Sequence, residues 1–314
     1  MSSNVPIQIS IIILTYNRPV ELVKTVGSLN FLNSENTEVI VVDNASEEPA
    51  KDVLKPYPFV SVITLEDNLG VGARNVAIKE AKTEIVITLD DDVRGITVDG
   101  IERIVHAFTS DPKLSALNFK VLEEGTGKQI NWCHHRKVEE WGNKPFETYE
   151  ISEGAVALRR EAVVNVGLYP ENYFISHEGP DLAIRLMNAG GVVRYEPKIS
   201  VQHARSEIAR VSWRRYYYDS RNLIWFVYKY FGWRRGILKI FIELGALFIY
   251  SIRDGYLKYW IKALKDALLG LPMQKSEKQR ISDETWRRYD NIKVHNPSVI
   301  YLLRKRLFSQ DVSI

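Results

Sequence analysis

The chain has 314 residues, of which 45% are hydrophobic and 26% charged. That is enough to bury a sizeable core in one large domain or two smaller ones, and it excludes wholesale disorder. A net charge of +3 is too small to argue for nucleic acid, and Cys133, the single cysteine, excludes an intramolecular disulfide and suits the cytosol or the cytosolic face of a membrane. The charge is unevenly spread. Between Arg205 and Arg235 the basic residues Arg205, Arg210, Arg214, Arg215, Arg221, Lys229, Arg234 and Arg235 meet only Glu207 and Asp219, a balance that suits phosphates or an anionic membrane surface. The N-terminal MSSNVPIQ lacks the basic-then-apolar pattern of a signal peptide. No stretch approaches the ~20 apolar residues of a spanning helix; the nearest, from Gly236 to Ile252, is interrupted by Lys239 and Glu243.

Strand and helix signals alternate through residues 1–93. QISIIILTYN is an apolar, β-branched run that suits a strand buried on both faces. PVELVKTVGSL has helical spacing behind Pro19, a good first helical residue. EVIVVDNAS and VSVITLEDN repeat the strand pattern, GVGARNVAIKEA reads as a helix, and EIVITLDDD is a fourth strand. Alternation of this kind predicts a mostly parallel, Rossmann-like α/β sheet with helices on both faces. Residues 94–210 are more irregular. A helix over GITVDGIERIVHAFTSDP precedes a strand at LSALNFKVLEE and a hairpin-like EGTGKQ. EGAVALRREAVVNVG then predicts a short strand turning into a helix, GPDLAIRLMNAGG a helix, and VVRYEPKISVQHARS two closing strands. From residue 211 to 314 the chain becomes helical, basic and aromatic. Tyr256, Leu257, Trp260, Ile261, Leu264 and Leu268 share one helical face, with Lys258, Lys262 and Lys265 elsewhere. Such helices suit either a membrane interface or packing on the preceding domain or on a second subunit.

In a parallel sheet, ligands bind beyond the carboxyl ends of the strands. Those ends carry Thr15-Tyr16-Asn17, Asp43-Asn44, Asp67-Asn68 and the triplet Asp90-Asp91-Asp92. One Asp after a strand is ordinary turn chemistry, but four polar clusters on one rim are not. Three adjacent carboxylates repel one another, and a positive partner is expected there.

ISIIILTYNRPVELVKTVGSL, VIVVDNAS, DNLGVGARNVAI and IVITLDDDV, followed by GAVALRREAVVNVGLYPENYFISHEGPDLAIRL and VQH, resemble the ordered signatures of inverting family 2 glycosyltransferases over residues 8–204. The resemblance implies a GT-A fold, with a donor-binding half at 1–93, an acceptor-side half at 94–210 and the helical region as an extension. It implies transfer of a sugar from a nucleotide donor to a saccharide or lipid-linked saccharide hydroxyl in surface-glycan synthesis. UDP is the commonest donor nucleotide of such enzymes, with dTDP and GDP as alternatives. The triplet resembles the family's D-x-D, so Asp92 is the expected ligand of Mg2+ or Mn2+, a hard cation suited to diphosphate oxygens. Asp90 is then expected to face the ribose or the metal's water shell. Asp91 is expected to point the other way by strand alternation, unless the chain turns there.

Asp43 resembles the aspartate that meets the nucleotide base or ribose, and Thr15 and Asn17 line the same pocket. Asn68, Gly70 and Arg74 match N-x-G-x-x-x-A-R-N, with Arg74 expected at the base or phosphate. His203 is a candidate further metal ligand. The family's base comes from an E-D pair ahead of D-L-x-x-R-L. Here HEGPDLAIRL keeps Glu178 but has Gly179 in place of the second acid, so Glu178 is the expected base. Asp181 is held in reserve, although an acid there also suits a helix N-terminus. Arg221 and Asn222 are candidates for the diphosphate or a lipid phosphate, and Trp132, His134 and His135 for the acceptor. Two other readings stand beside this one. A sugar-phosphate nucleotidyltransferase would carry a Gly-rich phosphate loop after the first strand, which LTYNRPVEL is not. A catalytically impaired glycan- or nucleotide-binding protein draws support only from Gly179.

Overall fold

The computed structural model describes residues 9–32, 37–204, 213–298 and 301. The N-terminal MSSNVPIQ, Arg205, Glu207, Arg210 and the expected boundary near residue 210 lie outside the described residues. The chain runs β1 (Ile9–Thr15), α1 (Pro19–Gly27), β2 (Thr37–Asp43), α2 (Ala50–Val53), β3 (Val60–Thr64), a 3-10 turn (Gly70–Ala73), α3 (Arg74–Glu80), β4 (Ile85–Asp90) and β5 (Val93–Arg94). It continues through α4 (Val98–Ser110), β6 (Leu114–Glu123), α5 (Val138–Trp141), β7 (Phe146–Glu147), β8 (Ala155–Arg159), α6 (Arg160–Asn165), α7 (Glu178–Asn188) and β9 (Val192–His203). Four helices follow: α8 (Trp213–Tyr230), α9 (Trp233–Arg253), α10 (Leu257–Gln274) and α11 (Asp283–Lys293).

The strands form one sheet in the order β3-β2-β1-β4-β8-β6-β9-β5, with β7 also paired to β9. Its first four strands are parallel, because a helical crossover separates each from the next. Beyond β4 the sheet is mixed: β8 runs antiparallel to β4 and β6, while β6 and β9 are parallel. The segment read as two closing strands is one strand, β9. Glu196 pairs Phe119 and Ser200 pairs Lys120, so residues 197–199 bulge out of the ladder where Pro197 has no N–H to give.

Side chains of β1 and β2 alternate between two cores. Ile12, Ile40 and Val42 meet α3 and α7 on one face, and Ile11, Ile13 and Val41 meet α1 and α4 on the other. The first core extends into the C-terminal helices: Leu223, Phe226, Val227 and Tyr230 of α8 and Tyr289 and Ile292 of α11 join Leu182 and Leu186 of α7. Trp225 of α8 donates to the carbonyl of Ala267 at 2.9 Å and so pins α10. Among the described residues no helix is long and apolar enough to cross a membrane.

Candidate active site

Strand register sets the site. Thr15 lies beside Asp43, and Leu14 beside Asp90, so the carboxyl ends of β1, β2 and β4 are level. β4 ends at Asp90, and Asp91 and Asp92 form the turn into β5, whose Val93 pairs with His203. That turn overturns the strand-alternation expectation for Asp91. Asp91 and Asp92 converge on one guanidinium, with Arg18 Nη1 2.9 Å from Asp91 Oδ1 and 2.7 Å from Asp92 Oδ2. Asp91 also accepts from Thr15 Oγ1 at 2.9 Å, and Thr25 donates to its carbonyl at 2.6 Å. Burial pushes the Asp91 carboxyl up to about 7 even with Arg18 beside it. Asp92 is raised as well, burial outweighing the opposing pull of His203.

Asp90 is the open member of the triplet, its side chain 43% exposed. Its partner is Arg74, which is paired to Asp90 with only 2% of its side chain exposed. Arg74 is thus a buried brace for Asp90. A Cβ at Gly154 would collide with the Asp90 carboxylate, so glycine lets that carboxylate keep its place.

The donor loops are tied to one another. Asp43 is fully buried and accepts from the backbone N–H groups of Ser46 (2.9 Å) and Ala50 (2.8 Å); only its remaining lone pairs are left for a nucleotide. Asn17, at positive φ, accepts from Glu47 N at 2.7 Å, and its own N–H meets Ser46 Oγ at 2.9 Å. Asn44 donates to Asn68 Oδ1 at 2.9 Å and accepts from Leu69 N at 2.8 Å. Gly70 sits at φ +61, where a Cβ would strike the Phe174 carbonyl; that carbonyl accepts from Val71 N at 2.7 Å. Close approach to the loop ahead of α7 is what this glycine permits.

Glu178 opens α7. It is buried, and its Oε2 has no hydrogen-bond partner. Burial pushes its carboxyl up to about 7, with the Arg74 charge pulling the other way. Arg74 therefore acts on both Asp90 and Glu178.

Asp181, the reserve base, is held in an internal ion-pair network. It has 0% exposure and is ion-paired to Lys229 (2.7 Å) and Arg185 (2.8 Å), with Tyr230 donating at 3.0 Å. Burial would raise it, but Arg185 and Lys229 hold it below the usual carboxylate range. Asp181 joins α7 to α8. Arg221 and Asn222 are likewise spent on the loop ahead of α7. Arg221 donates to the Tyr173 carbonyl at 2.8 Å and lies over the Trp225 ring; Asn222 donates to the carbonyls of Tyr173 (3.0 Å), Ile175 (2.8 Å) and Ser176 (2.8 Å).

Trp132 is buried with Phe146 and Tyr195, its indole donating to the Arg136 carbonyl at 2.7 Å, so it is no acceptor contact. His134 is in the same cluster, where burial lowers it to about 3. His135 lies 3.0 Å from Glu150 and stacks on Tyr149.

The sequence reading missed Arg18 and gave Asn44 no part beyond its place in a rim cluster. Both sit in the strand-end loops already singled out, and the triplet's need for a cation was the signal for Arg18. The residues present fit a divalent cation. Asp92 Oδ1 accepts no hydrogen bond, and His203 Nε2 lies 3.5 Å from it. Among the described residues no group of three or more His, Cys, Asp or Glu stands ready to hold a metal. The donor set therefore suits a cation that takes one or two protein carboxylates and completes its shell with phosphate oxygens.

Residues 10–167 match the family model described as Glycosyl transferase family 2. The chain belongs to that family. The transferase is 27% identical over 206 residues to the dTDP-rhamnosyl transferase RfbF of Shigella flexneri, covering 62% of this chain and 68% of that one. It superposes on S. aureus TarS 1–349 in complex with UDP-GlcNAc with a TM-score of 0.59 at 20% identity, over 86% of this chain and 83% of that one. Mannosyltransferase PcManGT from Pyrobaculum calidifontis, in complex with GDP-Man and Mn2+, gives 0.56 at 16%, over 97% and 88%. Against two further curated relatives the transferase spans 92% and 32% of their lengths. The likeness to these structures shows the fold, which is GT-A.

Proposed function

We propose that the transferase moves a sugar, with inversion, from a nucleoside-diphosphate donor to a hydroxyl of a saccharide or lipid-linked saccharide acceptor in building a bacterial surface glycan. The carrying observation is the Asp90-Asp91-Asp92 turn at the carboxyl edge of the parallel strands, linked through Arg74 to the enclosed Glu178. A similar O-antigen chain rhamnosyltransferase of Salmonella typhimurium, RfbN, supports the surface-glycan setting, and RfbF, TarS and PcManGT support a nucleotide-sugar donor. Bound Mn2+ or Mg2+, held by Asp92 with Asp90 and His203 beside it, would supply Lewis-acid neutralisation of the leaving diphosphate. Thr15, Asn17, Asp43, Asn68 and Gly70 shape the donor pocket. Glu178 takes the acceptor proton as that oxygen bonds to the anomeric carbon, and the bond to the diphosphate breaks with its electron pair.

The test is nucleotide release from a panel of UDP-, dTDP- and GDP-sugars, with and without Mn2+ and with lipid-linked saccharide acceptors. Release from one donor that requires metal supports the reading. Silence with every donor and acceptor, despite metal-dependent nucleotide binding, sinks it in favour of a binding protein.

The same reading places the transferase against an anionic phospholipid surface. α9 exposes Ile237, Leu238, Phe241, Ile249 and Ile252 along one stripe, with Phe241 80% exposed. Exposed Lys258, Lys262 and Lys265 lie on the adjoining α10. An apolar stripe with lysines nearby matches acyl chains beneath anionic headgroups. Co-sedimentation with phosphatidylglycerol vesicles that is lost in Leu238→Glu/Phe241→Glu supports this placement. A stable dimer that the same changes dissociate, without vesicle binding, overturns it.

A further inference from the structure

Gly179 stands where the family's E-D pair carries its second acid, and the structure shows why no side chain fits. A Cβ there would collide with the Ile151 carbonyl and with Glu153 Oε1. The space is already filled by a carboxylate from a segment 26 residues earlier in the chain. That segment is fixed from both sides. Thr88 donates to the Glu153 carbonyl at 2.5 Å, the Ser152 N–H meets Asn118 Oδ1 at 2.7 Å, and Asn118 Nδ2 meets the Glu150 carbonyl at 3.0 Å. Thr88 and Asn118 are themselves fully buried. Two glycines thus make room for two acids: Gly154 for Asp90 and Gly179 for Glu153.

We propose that Glu153 is the second carboxylate of the acceptor-activating pair, supplied from the segment before β8 into the space beside Glu178 that Gly179 leaves open. The inference rests on the transfer reaction proposed above. Glu153 is half-buried as a residue, with its carboxyl turned inward against Gly179. Burial pushes that carboxyl well up, and the Glu178 charge adds to the rise. On this proposal the two acids share one proton, because carboxyls enclosed together disfavour ionising at once. Whichever is ionised receives the acceptor's hydroxyl proton as the oxygen–carbon bond forms; the leaving electron pair goes to the diphosphate, and the proton then passes to water. A neutral isostere at 153 would remove the sharing while keeping the shape.

The experiment is steady-state transfer by Glu153→Gln and Glu153→Asp beside wild type, with the donor nucleotide's affinity measured by calorimetry in each. Glu153→Gln is expected to lower kcat by about tenfold or more, within the range of general-base effects. Donor affinity should stay within about twofold of wild type, the margin a spectator to donor binding allows. Glu153→Asp, which keeps the charge, should recover part of the loss. An active wild type with an unchanged Gln variant overturns this inference alone. So does a Gln variant whose loss of kcat is matched by equal loss in the Asp variant. A wild type silent with every donor overturns the transfer reading, and this inference with it.

Discussion

The donor rim and the loop ahead of α7 hold their functional groups in opposite ways. At the rim, parallel register sets Thr15 beside Asp43 and Leu14 beside Asp90, and the partners come from adjoining segments: Asp91 for Thr15, the Ser46 and Ala50 N–H groups for Asp43, and Arg74 for Asp90. The loop that delivers Glu178 has no such register. Phe174, Ser176 and His177 all have positive φ, a conformation that costs non-glycine residues roughly 1–3 kcal/mol each. What holds it is remote in sequence: one amide, Asn222 of α8, is shared among three of its carbonyls. A sheet edge organises a site by itself, whereas a strained loop needs an outside brace. The C-terminal helices are therefore part of the candidate active site.

The sharpest break in that comparison is Asp181→Ala. It leaves Lys229 and Arg185 at the α7–α8 joint facing an empty space. Removing one partner of a buried ion pair costs about 3–5 kcal/mol, and Tm should drop by roughly 10 °C for a protein of this size. Turnover per folded molecule should change little at low temperature. Loss of turnover at full thermal stability would return Asp181 to the role of base.

Asp92→Ala tests the other region with a different signature. Metal-dependent nucleotide binding should disappear and transfer should fall by about 10²–10³, the size expected for losing one preorganised electrostatic contact. The melting temperature should fall little, because Arg18 keeps Asp91 when its bond to Asp92 Oδ2 is lost and the buried Asp92 Oδ1 has no hydrogen bond to lose. Unchanged Mn2+-dependent UDP binding in calorimetry would remove Asp92 from the metal's shell.

The two regions also differed in how much the chain disclosed. The rim was legible because continuous apolar, β-branched runs ending in Asp or Asn define both strand and edge, and order along the chain predicts the parallel pairing. The acceptor side was read less well. Arg221, Asn222 and Asp181 have the residue types of a phosphate site and a base, yet each is consumed by packing between α7, α8 and the strained loop. Nothing local to YYYDSRNLIWF says that its amide will face residues 173–176. Gly179 was read as an acid lost, because residue spacing cannot show that Glu153 already fills its place. The structure also changed the part played by Arg74: expected at the base or phosphate, it is buried and paired to Asp90.

Asn222→Ala sharpens the contrast directly. Three carbonyls lose their shared donor, at about 1–3 kcal/mol for buried groups left unpaired. Transfer should fall by roughly 10- to 100-fold, with nucleotide affinity falling far less, because the rim meets this loop through Val71 and Phe174 and is otherwise built on strand register. Equal loss of nucleotide affinity would mean that the two regions are one mechanical unit.

The smallest effect expected is on pH. Burial sets the Glu178 carboxyl near 7 while Arg74 opposes and Asp219 and Asp181 add to the rise. As a base Glu178 must be ionised, so kcat should fall about tenfold per unit as pH drops below about 7 and level off above it. Asp91 also titrates near 7, and the difference between wild type and Glu178→Gln isolates Glu178. Stability should move in the opposite sense. A carboxyl raised on folding contributes stability below its unfolded value near 4.3 and loses that contribution as pH rises through about 7. Glu178→Gln, which never ionises, should therefore melt above wild type at pH 8 and close to it at pH 4. If the melting difference is the same at both pH values, Glu178 is not the group that titrates near 7, and the acidic limb of the rate profile belongs to another raised carboxyl, Glu153 beside it or Asp91 at the rim.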